Sequence, residues 1–158
     1  MSGRSRVPTL SATGIEAGYD QHQVLNGITF ESRDGVTCIF GPNGSGKSTF
    51  LKTLNGIVPV WDGKITYGNT DLTMTKPENI VTHGIATLPQ GGGIFGSLSV
   101  KENLLIGAFT VDDDAAVKNR MAEVIEVFPA LEGKVGQKAK DLSGGQQMMV
   151  SLGRAMMT

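Results

Sequence analysis

Cysteine is nearly absent. Cys38 is the only one in a chain of 158 residues, so no internal disulfide can form and the composition suits a reducing compartment. An excess of one charge is missing too. Fourteen Lys and Arg stand against 15 Asp and Glu, a formal net charge of −1. That balance argues against a polyanion-binding surface and against nucleic acid as a partner. No apolar run approaches the length that crosses a bilayer. Arg4 and Arg6 are followed by no apolar stretch, so residues 1–8 do not read as a signal peptide. No internal repeat or low-complexity segment stands out. Hydrophobic residues make up 39 % of the chain, enough for one core. These features predict one soluble, cytoplasmic domain of ordinary size, with a loose start over residues 1–9.

Glycine is abundant instead, with 22 residues, so a glycine motif can arise here by chance and context has to decide. The stretch Gly41-Pro42-Asn43-Gly44-Ser45-Gly46-Lys47-Ser48-Thr49 fits the phosphate-cradling loop Gly-x-x-x-x-Gly-Lys-Ser/Thr. Gly41 and Gly46 permit backbone angles that a side chain forbids, so successive N–H groups can line an anion nest. A helix opening at about Lys47 adds its positive end to the same place. Lys47 would reach the β- and γ-phosphates, and the Ser48 hydroxyl would ligate Mg²⁺. Before the loop, Gly35 to Phe40 reads as a buried strand, with Cys38 as small apolar core. After it, Phe50, Leu51 and Leu54 have helical spacing and Asn55-Gly56 is a helix stop.

Leu10 to Tyr19 reads as a strand interrupted by Gly14 and Gly18, and Gln23 to Ser32 as a second one. Asp34-Gly35 is a hairpin signal leading to the loop strand. Lys64 to Tyr67 is a short strand between the turns Asp62-Gly63 and Gly68-Asn69. Pro77 to His83 is a short helix stopped by Gly84. Ile85 to Leu88 reads as a short buried strand ending at Pro89-Gln90, before the flexible Gly91-Gly92-Gly93. Ser99-Val100-Lys101-Glu102 is a capping box opening a helix. Asp112-Asp113-Asp114 has the composition of a metal site, but a helix start explains it better, because negative charge suits the helix dipole there. That helix runs from about Ala115 to Val127 with Val117, Met121, Val124, Ile125 and Phe128 inward, and Pro129 ends it. Lys134 to Lys140 reads as a solvated connection. A last helix carries Met148, Met149, Leu152, Ala155 and Met156 on one side, expected as core packing.

That last helix opens at Leu142-Ser143-Gly144-Gly145-Gln146. Alone, the pentapeptide is a helix cap by Ser143. Downstream of a P-loop it is a second surface of hydroxyl and exposed N–H groups suited to phosphate. With both motifs in place the chain resembles the ATP-binding-cassette (ABC) ATPases from about Leu10 to its last residue. Gly41 to Ser48 matches the family's Walker A motif, Gln90 its Q-loop glutamine, and Leu142 to Gln146 its signature. Tyr19 matches the aromatic that stacks on adenine; a core-facing strand aromatic is the alternative, and the P-loop downstream favours stacking. Val24 to Ile28, Leu88 to Gly91, Ser99 to Leu105 and Gly144 to Met156 look like the ATPase subunits of branched-chain amino-acid importers and the related urea and amide importers. The chain departs from them at Gly92 and Gly93, where relatives usually carry an Arg, and at Phe95-Gly96, where a Pro often follows the Phe.

The resemblance implies an α/β P-loop NTPase fold, an ABC-type nucleotide-binding domain missing its C-terminal part. It would combine an N-terminal antiparallel β subdomain with the P-loop core (about 10–90), a Q-loop and α-helical subdomain (about 91–145) and the signature helix (146–158). It implies ATP and Mg²⁺ as cofactors. ATP would sit on Tyr19, on the loop of Gly41, Pro42, Asn43, Gly44, Ser45 and Gly46, and on Lys47, Ser48 and Thr49. Ser143, Gly144, Gly145 and Gln146 of a second, identical or different ATPase subunit would close over it. Lys47 and Gln90 would be catalytic, and Ser48 and Gln90 would hold Mg²⁺. Residues from about Ser99 to Gly133 would dock on integral-membrane permease subunits, placing the protein on the inner face of the plasma membrane. The function implied is ATP-driven import of branched-chain amino acids or a related small nitrogenous solute. Two alternatives stay open: an ABC ATPase tied to no transporter, and a module that grips ATP without hydrolysing it. In the family, a Walker B Asp, a catalytic Glu and a switch histidine follow the signature. Both histidines here, His22 and His83, precede it and are expected in solvent. A water-activating carboxylate contributes about 10²–10⁴-fold, so hydrolysis is not expected of these residues alone. They are expected to be the front of a longer subunit, with a bare apolar edge beside the P-loop strand.

Overall fold

A computed structural model describes residues 8–32 and 35–158. The chain divides into two compact units, Met1–Ile80 and Val81–Thr158. In the first, β1 (Leu10–Tyr19) and β2 (His22–Glu31) form a hairpin. The helix α1 (Lys47–Leu54) follows, then β3 (Val60–Tyr67), β4 (Thr70–Asp71) and the single turn α2 (Pro77–Ile80). The sheet is antiparallel throughout, in the order β2-β1-β3-β4. The β1–β2 hairpin turns at Asp20, which adopts φ 52°. Gly14 does not break β1. The strand continues, with register shifts between Ala12 and Ala17 that absorb the irregularity as bulges. Ala12, Ile15, Ala17, Leu25 and Ile65 are buried in the sheet, and α1 buries Phe50, Thr53 and Leu54. Phe30 of β2 meets Phe50 edge to face, ring centres 5.4 Å apart, which seats α1 on the strands.

The expected strand over Gly35 to Phe40 is not formed. Its backbone is irregular, Val36 is 92 % and Phe40 88 % exposed, and Cys38 is exposed rather than core. An extended segment becomes a strand only when a neighbour completes its hydrogen-bond ladder. Among the described residues no strand pairs with this segment. Ile85 to Leu88 fails as a buried strand for the same reason, with Ala86 and Thr87 exposed. The hairpin signal at Asp34-Gly35 rests on Asp34, which lies outside the described residues, as do Arg4 and Arg6.

The second unit starts with a 3₁₀ turn, Val81–His83, stopped at Gly84. Its helices are α3 (Val100–Gly107), α4 (Asp114–Val127) and α5 (Gly144–Met156), with short 3₁₀ turns at Pro129–Lys134 and Ala139–Asp141. Val100, Leu104, Val124, Leu131, Val150 and Met157 form its core. The acidic run starts a helix as expected: Asp113 is the N-cap of α4, and its carboxylate accepts from the Ala115 N–H at 2.9 Å. His22 and His83 are exposed.

Two expectations are corrected here. Of the expected stripe, Met148, Leu152 and Met156 lie outward, 38–47 % exposed, while Met149 packs against the core, and α5 buries Val150, Ser151 and Gly153. Small residues set this rotation. A Cβ on Gly153 would lie 2.6 Å from Val124 Cγ1 and 2.9 Å from Leu104 Cδ2, so only a glycine face lets the helices approach this closely. The polar stretch Lys134 to Lys140 is not merely a solvated connection. Gln137 and Val135 carbonyls accept from the Val100 and Lys101 N–H groups at 3.0 and 2.9 Å. These are amides at the start of α3 that no helical carbonyl can reach.

The α3 capping box is complete. The Ser99 hydroxyl accepts from the Glu102 N–H at 3.2 Å, and Glu102 Oε2 accepts from the Ser99 N–H at 2.7 Å. Hydrogen bonds from the Ser99 hydroxyl and N–H hold the Glu102 carboxyl below its usual 4.5. A depressed carboxylate contributes stability above its unfolded pKa and loses it as pH falls through the folded one. Glu102→Gln should therefore lower the urea midpoint near neutral pH. Its deficit relative to the parent should shrink steadily below about pH 4.5. A deficit constant across that range would contradict this.

Candidate functional site

Residues 41–46 fold as a tight loop running into α1. Gly46 is the N-cap, in the left-handed region at φ 86°, and no side chain caps the helix. A Cβ there would stand 3.0 Å from Leu25 Cδ2, so glycine is required by angle and by space. The contrast with the other long helices is informative. Side chains of Ser99, Asp113 and Ser143 cap α3, α4 and α5. The first-turn amides of α1 have no side-chain cap, the arrangement an anionic ligand completes.

Lys47 closes the loop. Its ammonium donates to the Gly41 carbonyl at 2.8 Å and the Pro42 carbonyl at 2.6 Å, with Ser45 Oγ at 3.5 Å. A Cβ on Gly41 would fall 2.7 Å from Ser45 Oγ, which shows how closely the loop wraps. Pro42, Asn43, Gly44, Ser45 and Ser48 are exposed, whereas Thr49 is buried on the inner face of α1. The donor set fits a nucleotide phosphate with Mg²⁺: uncapped amides, an ammonium in the loop and the exposed Ser48 hydroxyl. An open hollow of about 190 Å³ is lined by Ser45, Gly46 and Lys47 of the loop together with the apolar Leu25, Ile28, Phe30, Ile39, Phe40 and Phe50. Tyr19, at the end of β1, is 43 % exposed, and the Lys52 ammonium of α1 lies 5.8 Å from its ring centre. The tyrosine is thus a half-open aromatic face held against the P-loop helix, not a core residue.

The second unit carries Gln90 and the Ser143 turn. Ser143 caps α5 through a second capping box. Its hydroxyl accepts from the Gln146 N–H at 3.4 Å, and Gln146 Oε1 accepts from the Ser143 N–H at 3.2 Å. Ser143, Gly144 and Gly145 are exposed. Gln147 fastens the preceding loop, donating to the Ala139 and Leu142 carbonyls at 3.3 and 3.2 Å. Gln90 is exposed in the turn entering Gly91-Gly92-Gly93.

Sequence reasoning missed four residues that hold these turns: Asn103, Gln147, Ser151 and Arg154. Asn103 is fully buried and pins residue 95 twice: its Oδ1 accepts from the Phe95 N–H at 2.8 Å, and its Nδ2 donates to the Phe95 carbonyl at 3.0 Å. A polar residue on the inward face of a short amphipathic helix was the available signal for Asn103. No comparable signal marks Ser151 or Arg154.

A left-handed glycine before an uncapped helix, with the next lysine folded into the loop, defines a P-loop nucleotide-binding protein. The particular family follows from comparison. The ABC transporter family profile matches residues 25–158. The chain is 36 % identical over 148 residues to the probable branched-chain amino acid transport ATP-binding protein LivF of Archaeoglobus fulgidus, covering 93 % of this chain and 62 % of that protein. It is 37 % identical over 151 residues to the high-affinity branched-chain amino acid transport ATP-binding protein BraG of Pseudomonas aeruginosa, covering 94 % of this chain and 64 % of that protein. Among solved structures it resembles the ADP conformation of MJ1267, an ATP-binding cassette of an ABC transporter. There the TM-score is 0.82 at 29 % identity, covering 96 % of this chain and 65 % of that one. The chain belongs to the ABC transporter family, and its α/β fold is that of an ABC ATPase domain. It spans just under two thirds of the length of these relatives.

Ser143→Ala should cost about 1 kcal/mol of unfolding free energy, whereas Ser143→Asp, an equally good cap, should stay within a few tenths. Urea titration checks both. Equal losses would mean that the hydroxyl does not cap α5.

Proposed function

We propose that this chain is the nucleotide-binding portion of the ATPase subunit of an ABC importer, driving uptake of branched-chain amino acids or a related small nitrogenous solute. The observation that carries this reading is the uncapped start of α1 with Lys47 folded into its loop. The similarity to LivF and BraG supplies the solute class.

ATP would lie on the loop of Gly41, Pro42, Asn43, Gly44, Ser45 and Gly46, against Lys47, Ser48 and Thr49, with Tyr19 stacked on its base. Phosphate oxygens would take over the Lys47 ammonium from the Gly41 and Pro42 carbonyls. The exchange trades two neutral acceptors for charged ones, and charge-assisted hydrogen bonds are roughly twice as strong. Mg²⁺ would be held by Ser48 and Gln90, and when bound it neutralises charge developing on the transferred phosphoryl group. Gln90 would also orient the attacking water. Ser143, Gly144, Gly145 and Gln146 would face the γ-phosphate bound by a second ATPase subunit, whose closure is driven by ATP and reversed by hydrolysis. Within the chain, residues 10–90 would form the β subdomain and P-loop core, 91–145 the Q-loop and helical subdomain, and 146–158 the signature helix.

The helical segment would dock on the membrane permease, which places the protein at the inner face of the plasma membrane. Leu105, Ile106 and Phe109 support this, since they are 39–69 % exposed beside the buried face of α3. No described helix is long and apolar enough to cross a membrane.

A hydrogen bond to a charged group is worth about 1.5–3 kcal/mol, so Lys47→Ala should weaken ATP binding by about ten- to a hundred-fold. Calorimetric titration reads this directly, and unchanged affinity would remove the P-loop reading. The importer reading is tested by leucine uptake in cells deleted for the gene. Restoration by the parent but not by Lys47→Ala supports it, and undiminished uptake in the deletion strain would refute it.

A further inference from the structure

We infer that Ser151 and Arg154 are positioning residues for Gln90, fixing its turn to the same helix whose first residues form the signature. The inference rests on the proposed role of Gln90 at Mg-nucleotide. Gly91, Gly92 and Gly93 all take positive φ, at 81°, 81° and 57°. Three consecutive left-handed residues without side chains have little to hold them in one conformation. Here they are held from outside. The buried Ser151 hydroxyl donates to the Gly92 carbonyl, and Arg154 Nη1 donates to the Gly93 carbonyl at 2.8 Å. The Arg154 guanidinium also lies 5.4 Å from the centre of the Phe95 ring, and the Phe95 backbone is itself pinned by Asn103. The Gly92 N–H closes the turn on the Pro89 carbonyl at 3.0 Å. Gln90 therefore sits inside a turn closed on itself and anchored to α5 just after it.

Ser151 and Arg154 are three residues apart and share one face of α5. Ser143 is the N-cap of the same helix, about 12 Å along its axis from Ser151 at 1.5 Å per residue. One rigid helix thus carries the exposed Ser143-Gly144-Gly145 turn at one end and the anchors of the Gln90 turn at the other. A shift of Gln90 that followed loss of a phosphate would be passed to the signature turn as movement of α5, without an intervening hinge.

The test separates magnesium-dependent from magnesium-independent nucleotide binding. ATP affinity is titrated on the full-length chain, with Mg²⁺ and with EDTA, for the parent, Gln90→Ala, Ser151→Ala, Arg154→Met and Arg154→Lys. Losing the support of a metal ligand typically costs about ten-fold or more in metal-dependent affinity. The magnesium-dependent gain should therefore fall about ten-fold in Gln90→Ala, Ser151→Ala and Arg154→Met. Affinity in EDTA should stay within about two-fold, because the P-loop is untouched. Arg154→Lys, which keeps a donor for the Gly93 carbonyl, should recover most of the gain. Ser151→Ala removes only one oxygen atom and decides the matter if Arg154→Met does not fold. A fall in Gln90→Ala alone would leave the Gln90 reading standing and overturn the positioning role. No fall in Gln90→Ala would overturn both. Equal losses with and without Mg²⁺ in the Ser151 and Arg154 variants would reduce these residues to structural supports.

Discussion

An α-helix begins with N–H groups that no carbonyl of its own can reach, and much of this chain is arranged around where those groups go. The helices α3, α4 and α5 supply side-chain caps from their own sequence. The residues before α3 also pair with the stretch 135–140, which turns a polar loop into part of the scaffold. The helix α1 lacks a side-chain cap, and the left-handed Gly46 brings the preceding loop back over its end. A lysine at the first helical position folds into that loop instead of into solvent. Backbone amides and one ammonium thus converge at the start of α1, the donor set on which the proposed phosphate site rests.

The second unit applies the same chemistry to a different end. Ser143 caps α5 but leaves the glycines after it open, so the turn is stable and still accessible. Farther along, the helix uses small residues to pack closely: Gly153 against Val124 and Leu104, and Ser151 beneath the Gly92 carbonyl. Packing and function meet in α5, because the face that lets neighbouring elements approach also grips the glycine run after Gln90. Met148 and Met156 lie on the other side of the helix.

What the sequence made legible was local. The P-loop, both serine caps, the start of α4 at the aspartate run and the stop at Asn55-Gly56 each depend on residues within about eight positions of one another. Their physics is complete inside that window. The fold class and family were legible because two such windows, at Gly41 to Ser48 and Leu142 to Gln146, occur in one chain. The misreadings depended on distant partners. Gly35 to Phe40 has a strand's composition, but composition does not supply the neighbouring ladder a strand needs. The orientation of α5 was misread because apolar periodicity marks a face, whereas the closest approach at Gly153 selected another. Ser151 and Arg154 act on carbonyls about sixty residues away, a distance no spacing rule covers.

The central claim is that the loop before α1 is a phosphate site now closed by its own lysine. A structure determined with Mg²⁺ and a slowly hydrolysed ATP analogue tests it most directly. The account predicts that Lys47 Nζ leaves the Gly41 and Pro42 carbonyls for phosphate oxygens, while Gly46 stays left-handed and the first-turn amides of α1 donate to the same phosphates. Nucleotide bound elsewhere, or bound while Lys47 remains on both carbonyls, would contradict it.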